Sequence, residues 1–104
     1  MQTIEHTTWD GRDTKVTLIS LPEGEAVVSY KPVFKMPDDP KYYDNGQRFA
    51  TLEEARDTAA ARFMVWTMPE AYGVEESTDP VNYEREFTPG YAGTDKMLSK
   101  EEAK

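Results

Sequence analysis

Apolar and polar positions alternate through the first third of the chain and then change to a helical period. Residues 3–9 (Thr-Ile-Glu-His-Thr-Thr-Trp) form a Thr-rich run that ends at Asp10-Gly11. An Asp-Gly pair between two β-like runs predicts a tight hairpin with positive φ at both central residues. The next run, Thr14 to Leu21, stops at Pro22-Glu23-Gly24, where proline presets φ at the second turn position and Gly24 takes the left-handed conformation. A third run covers Glu25 to Lys35. In it Ala26, Val28, Tyr30 and Phe34 share one face, and Val27, Ser29, Lys31, Val33 and Lys35 the other. Pro32 has no N–H for a ladder, which places that stretch at an edge or a bulge. Residues 36–48, with two prolines and Asn45-Gly46, read as a loop.

The clearest element follows. Thr51-Leu52-Glu53-Glu54 is a capping box, in which the Thr51 hydroxyl accepts the Glu54 N–H and the Glu54 side chain reaches back. The helix is predicted to run to about Thr67 and end before Pro69. Leu52, Ala55, Ala59, Phe63 and Trp66 recur at helical spacing as one apolar stripe, and Ala59 to Ala61 allow close approach to a sheet. Tyr72 to Glu76 reads as a short strand. Asp79-Pro80 turns the chain, and Val81, Tyr83 and Phe87 alternate with polar residues as a second short strand or an extended arm. Beyond Thr88 the apolar content falls. Met97 and Leu98 are the residues able to dock a last turn of an otherwise polar tail.

The expected fold is α+β: a three-stranded antiparallel meander with one helix packed on one face, plus one or two short C-terminal strands. Residues 1–90 form a single domain, and 91–104 a polar, flexible tail. Trp9, Tyr30, Phe34, Phe49, Phe63 and Trp66 are assigned to core packing.

Composition narrows the chemistry. Cysteine is absent, which excludes disulfides, thiolate metal sites and Cys nucleophiles. The first residues, Met-Gln-Thr-Ile-Glu-His, have neither a basic nor an apolar leader region, and no apolar run approaches the roughly 20 residues of a membrane span. The expected compartment is the cytoplasm of a bacterial host cell. The formal net charge of −8 is uneven: residues 1–37 carry four Lys/Arg against five Asp/Glu, and residues 38–104 eight against fifteen. In the stretch 68–87, Glu70, Glu75, Glu76, Asp79, Glu84 and Glu86 face only Arg85. Such a field repels nucleic acid and anionic lipid, attracts basic protein surfaces, and also keeps a small protein soluble.

No catalytic constellation emerges. His6 is the sole histidine and reads as a structural residue; none of Ser20, Ser29, Ser77 or Ser99 lies in a nucleophile-type turn, and no phosphate-binding glycine motif is present. Asp38, Asp39 and Asp44 with Asn45 gather oxygen ligands in one loop, but their spacing departs from a calcium loop and they read as solvated turn acids. Glu53/Glu54 and Glu75/Glu76 are adjacent in sequence, which does not converge two carboxylates in a cleft. The expectation is therefore a protein without catalytic residues, metal or cofactor.

Tyr42, Tyr43, Tyr83 and Tyr91 are not required by the core and stand beside acids. Tyrosine anchors among acids suit a protein-binding patch, or else Tyr42 or Tyr43 folds back over the sheet edge. The candidate partner-binding residues are Asp38, Asp39, Tyr42, Tyr43, Glu53, Asp57, Glu75, Glu76, Asp79, Tyr83, Glu84 and Glu86.

Three segments carry a resemblance: Arg48-Phe-Ala-Thr-Leu-Glu-Glu-Ala-Arg56, Trp66-Thr67, and Ala71 through Asp79-Pro-Val-Asn-Tyr83. Together they resemble small proteins of phages and bacterial genomes that share a capped Ala-rich helix followed by a Tyr-x-Val-Glu strand. The resemblance transfers no activity and no residue role. It implies a host-takeover or anti-defence part for a small acidic protein. The expected function is binding and inhibition, occluding a basic, nucleic-acid-binding surface of a protein partner, with no direct contact to nucleic acid or membrane. The alternative is a structural or assembly module. The chain is then a monomer in the first case and a homodimer in the second.

Overall fold

The computed structural model describes residues 1–83 of the chain. They form β1 (Gln2–Thr7), β2 (Asp13–Ile19), β3 (Ser29–Lys35), β4 (Tyr42–Asp44), α1 (Leu52–Val65) and β5 (Ala71–Ser77). β1 and β2 pair antiparallel, from Gln2 opposite Leu18 to Thr7 opposite Asp13. Their connection is wider than a two-residue turn, and only Gly11 has a positive φ, 85°. Gly11 N–H donates to the Thr8 carbonyl (2.9 Å) and Thr8 N–H to the Arg12 carbonyl (2.8 Å). Asp10 keeps negative φ because its carboxylate serves the loop as an acceptor, taking the Thr8 hydroxyl and the Arg12 N–H. At the next turn Glu25 N–H donates to Pro22 O, so Pro22 occupies the first position, not the second, and Gly24 carries φ 95°.

The meander expected from the sequence is not formed. The sheet has five strands in the order β1-β2-β5-β3-β4, and β5 lies between β2 and β3. It runs parallel to β2 and antiparallel to β3. Two features of β5 explain this. Tyr72, Gly73 and Val74 are buried consecutively, the signature of a strand covered on both faces. Gly73 also lets the two backbones approach, since a Cβ there would collide with the Thr17 carbonyl oxygen.

β3 is shorter than the Glu25–Lys35 run, and it is interior, so Pro32 is not on an edge. Tyr30 exchanges backbone hydrogen bonds with Phe49 (2.8 Å each way), while Phe34 pairs with Tyr43. Between these two patches the partner chain carries two extra residues, and Pro32 faces that interruption, where no donor is required. The loop expected over 36–48 contains β4, which caps the sheet edge.

α1 begins as the capping box predicts. Thr51 Oγ1 accepts the Glu54 N–H at 3.1 Å and donates to Glu54 Oε1 at 3.0 Å. The helix ends at Val65, with Trp66 N–H closing on Arg62 O. It lies across β3 and β5. Ala55, Thr58, Ala59, Ala60 and Ala61 are buried, so the contact is made by small side chains that bring helix and sheet close. Leu52 and Phe63 pack at its two ends, on two clusters: Val16, Phe34, Ala59, Ala60 and Tyr72, and Leu18, Phe49, Ala55 and Val74. Trp66 and Trp9 do not join this core; they are 42% and 50% exposed. Tyr72 takes the buried aromatic place instead. Val81–Tyr83 form no strand: Asn82 and Tyr83 donate their N–H groups to Arg48 O, and the Tyr83 ring sits 6.0 Å from Phe49. Glu84, Glu86, Phe87, Tyr91, Met97, Leu98 and the proposed tail 91–104 lie outside the described residues.

Candidate functional site

The sheet has an inner face under α1 and an outer face away from it, and register assigns each candidate residue. Lys31, Val33 and Lys35 of β3, Glu75 of β5, and Tyr42 and Asp44 of β4 share the outer face. Here charges are paired. Lys31 Nζ stands 3.5 Å from Glu75 and 3.9 Å from Asp44, and Arg48 donates to Asp44 and Asp79 at 3.0 Å each. Burial works to raise the Asp44 carboxyl, but the Gly46 N–H, the Arg48 bond and the Arg48 and Lys31 charges outweigh it and hold the group below its ordinary value. Asp79 is held low first by its bond from Arg48. Tyr42 reaches across β3 and β5 until its hydroxyl lies 3.3 Å from Thr17 Oγ1. Val33 is fully buried beneath that crossing. Tyr42 is thus the tyrosine that folds over the sheet.

Tyr43 points the other way. It lies directly opposite Phe34 on the inner face and remains 47% exposed. Phe34 in turn holds Trp66 edge-on, with ring centroids 5.4 Å apart. Just beyond the helix end, Met68 is 62% exposed. Phe34 therefore anchors two half-exposed aromatic rings at one end of the sheet. Acids stand beside them: Asp39 accepts the Tyr43 hydroxyl and the Lys41 N–H (2.9 Å), Asp38 is exposed next to it, and Glu70 pairs with Lys35. The Tyr43 bond is the main cause holding the Asp39 carboxyl down, and Asp39 pushes the Tyr43 phenol up.

The remaining acids are dispersed. Glu75 and Glu76 point to opposite faces, and Glu76 accepts the Leu21 N–H at 3.0 Å. Asp57 packs against β1, 3.5 Å from His6 Nε2 and 3.5 Å from Arg56. Glu53 lies exposed in the first turn of α1, and Tyr83 is 38% exposed at the opposite end of the sheet from Tyr43. Of the twelve candidates, Asp38, Asp39 and Tyr43 come together, and Glu75 and Asp79 belong to the paired outer face. Among the described residues no group of three His, Asp or Glu side chains is placed to hold a metal ion.

No family model, curated protein or solved structure matches this chain.

A second feature was not visible in the sequence. Between the Thr8–Arg12 loop and the C-terminal half of α1 is a cleft of about 520 Å³, lined by Trp9, Asp10, Arg12, Asp13, Thr14, Phe63, Met64 and Tyr72 among others. Trp9 Nε1–H points at the Met64 sulfur, and Phe63 and Tyr72 lie 4.9 Å apart, tilted by 42°. The signal that would have found it is Trp9 itself, a large aromatic beside a turn.

Proposed function

We propose that this chain is a binding protein, which docks a basic surface of a protein partner through the patch of Tyr43, Trp66 and Met68 and occludes it without chemistry. The observation that carries this reading is Trp66, left 42% exposed on the Phe34 ring when a core position was open to it in the pattern of α1. Trp and Tyr anchors dominate binding energy where a rim of polar groups excludes water, and Asp38, Asp39 and Glu70 supply such a rim. The net charge of −8 steers basic surfaces toward the protein. A groove that neutralises nucleic-acid phosphates with Lys and Arg is one such basic surface, and the phage resemblance favours a host-takeover or anti-defence role.

The test is capture from bacterial lysate at low and high salt, with wild type beside Trp66→Ser and Tyr43→Ser. A basic protein retained by wild type at low salt, released at high salt and missed by both variants supports the reading. Identical capture by all three refutes it. The other reading, self-assembly, is favoured by β1, which ends the sheet and, among the described residues, has no strand along one edge of Gln2–Thr7. Sedimentation equilibrium separates the two, since a monomer at high concentration removes self-assembly.

A further inference from the structure

The cleft beside Trp9 is built for a ligand, and it is separate from the aromatic patch. We propose that it binds an organic cation, an ammonium or guanidinium carried on an apolar stem. Trp9 lines the cleft and is half exposed, and tryptophan is the best of the cation–π partners. The Met64 contact fixes the ring at the cleft wall. Phe63 and Tyr72 form an apolar wall for a stem, with the thioether of Met64.

The polar feature inside is Tyr72. The residue is 4% exposed, and its hydroxyl makes no bond of good geometry, although the Thr14 side chain and the Arg56 and Asp57 charges lie near it. A buried hydroxyl in that condition normally finds water or a ligand. Burial pushes its phenol up against the opposing pull of Thr14 and Arg56, so at neutral pH it is an uncharged group whose oxygen can accept an N–H. At the rim stand Asp10, Arg12 and Asp13. The Arg12 Nε–H is bound to Asp10 at 2.7 Å, and Arg56, whose charge reaches Tyr72, is paired with Asp57 at 3.5 Å, so Asp13 tips the rim toward negative charge. Asp13 accepts only the Thr7 hydroxyl, at 2.9 Å. The formal net charge of −8 favours a cationic ligand over an anionic one. The volume falls within the roughly 300–1,000 Å³ of small-ligand sites. The cation belongs either to a free amine or to an Arg or Lys side chain of another protein.

The test follows Trp9 fluorescence in a Trp66→Phe background, which removes the other tryptophan. The probes are N-butylguanidinium, its neutral isostere N-butylurea, and N-acetylarginine amide. The expected result is saturable binding of butylguanidinium with Kd on the order of 1 mM. Butylurea should bind about tenfold more weakly. Tyr72→Phe should weaken butylguanidinium about tenfold while changing the thermal midpoint little, because the hydroxyl makes no bond of good geometry within the fold. Arg12→Ala, at a side chain that is 75% exposed, should tighten it. Tighter binding of acetylarginine amide than of butylguanidinium assigns the site to a protein side chain, and the reverse order to a free amine. Equal affinity for butylguanidinium and butylurea, weaker binding in Arg12→Ala, or no response well above the expected Kd overturns the proposal. The urea comparison stands on the unaltered cleft, so it decides even where a variant fails to fold.

Discussion

Gly73→Ala is the sharpest perturbation of the fold. Gly73 sits in the central strand, paired with Thr17 on one side and Val33 on the other. In an unconstrained strand interior, replacing glycine by alanine stabilises by about 0.5–1 kcal/mol, because the unfolded chain loses freedom. Here the added methyl collides with the Thr17 carbonyl oxygen and stands 3.2 Å from the carbonyl carbon and 3.3 Å from the Thr17 Cβ. A backbone oxygen within a ladder cannot swing aside like a side-chain tip, so β2 and β5 must separate. Overpacking of this kind costs about 1–3 kcal/mol, or more where backbone must move. The net expectation is a loss of about 1–2 kcal/mol. At about 4–8 °C per kcal/mol for a domain near this size, the thermal midpoint falls by roughly 5–15 °C. Far-UV circular dichroism melts measure the shift. Amide exchange should accelerate most at Thr17–Ile19 and Gly73–Glu75, the ladder that opens. An unchanged or raised midpoint refutes the argument that close approach of β2 and β5 fixes the strand order.

Three further predictions concern the helix cap, the core and the outer face. Thr51→Ala should lower stability by about 1 kcal/mol in urea denaturation while Thr51→Ser retains it, since the hydroxyl is the acceptor of the Glu54 N–H. Phe49→Ala should cost about 3–5 kcal/mol, a large part of an ordinary domain's stability, because Phe49 is fully buried; a loss below about 1 kcal/mol would show that the second core cluster is dispensable. On acidification, Asp44 and Asp79 have folded-state values below 3.8, so the stability they contribute is present above about 3.8 and is lost as pH falls through their lowered values. Arg48→Met should flatten that part of the acid-unfolding curve; an identical acid profile in the variant would show that Arg48 does not hold the two carboxylates.

The candidate site was legible in kind and mostly illegible in placement. Tyr43 beside Asp38 and Asp39 was readable, because loop residues close in sequence stay close in space. The partition of Tyr42 from Tyr43 was not, since it needs the register of β4, which follows from pairing with β3. Trp66 fits a helical apolar stripe and was assigned to the core. It is exposed because the helix ends one residue earlier, at Val65, and Trp66 turns out in extended backbone with ψ 118°. The acids of residues 70–79 look like one field in the sequence. Alternation along β5 sends Glu75 and Glu76 to opposite faces, and Lys31, Lys35 and Arg48, remote in sequence, pair with Glu75, Glu70 and Asp79.

What the sequence determined by itself is local. The capping box started α1 where Thr51 stands, because its hydrogen bonds close within four residues. Glycine marked the turns at Gly11 and Gly24, because only a residue without Cβ takes their φ cheaply. Alternation marked the strands. Strand order came from elsewhere. A period of two says which side chains share a face and nothing about which strand lies alongside. β5 enters between β2 and β3 only when three distant backbones meet, at a glycine narrow enough to admit them and over a helix whose buried alanines let it lie close. The β2–β5 contacts join residues more than fifty positions apart, and only the assembled tertiary structure brings them together.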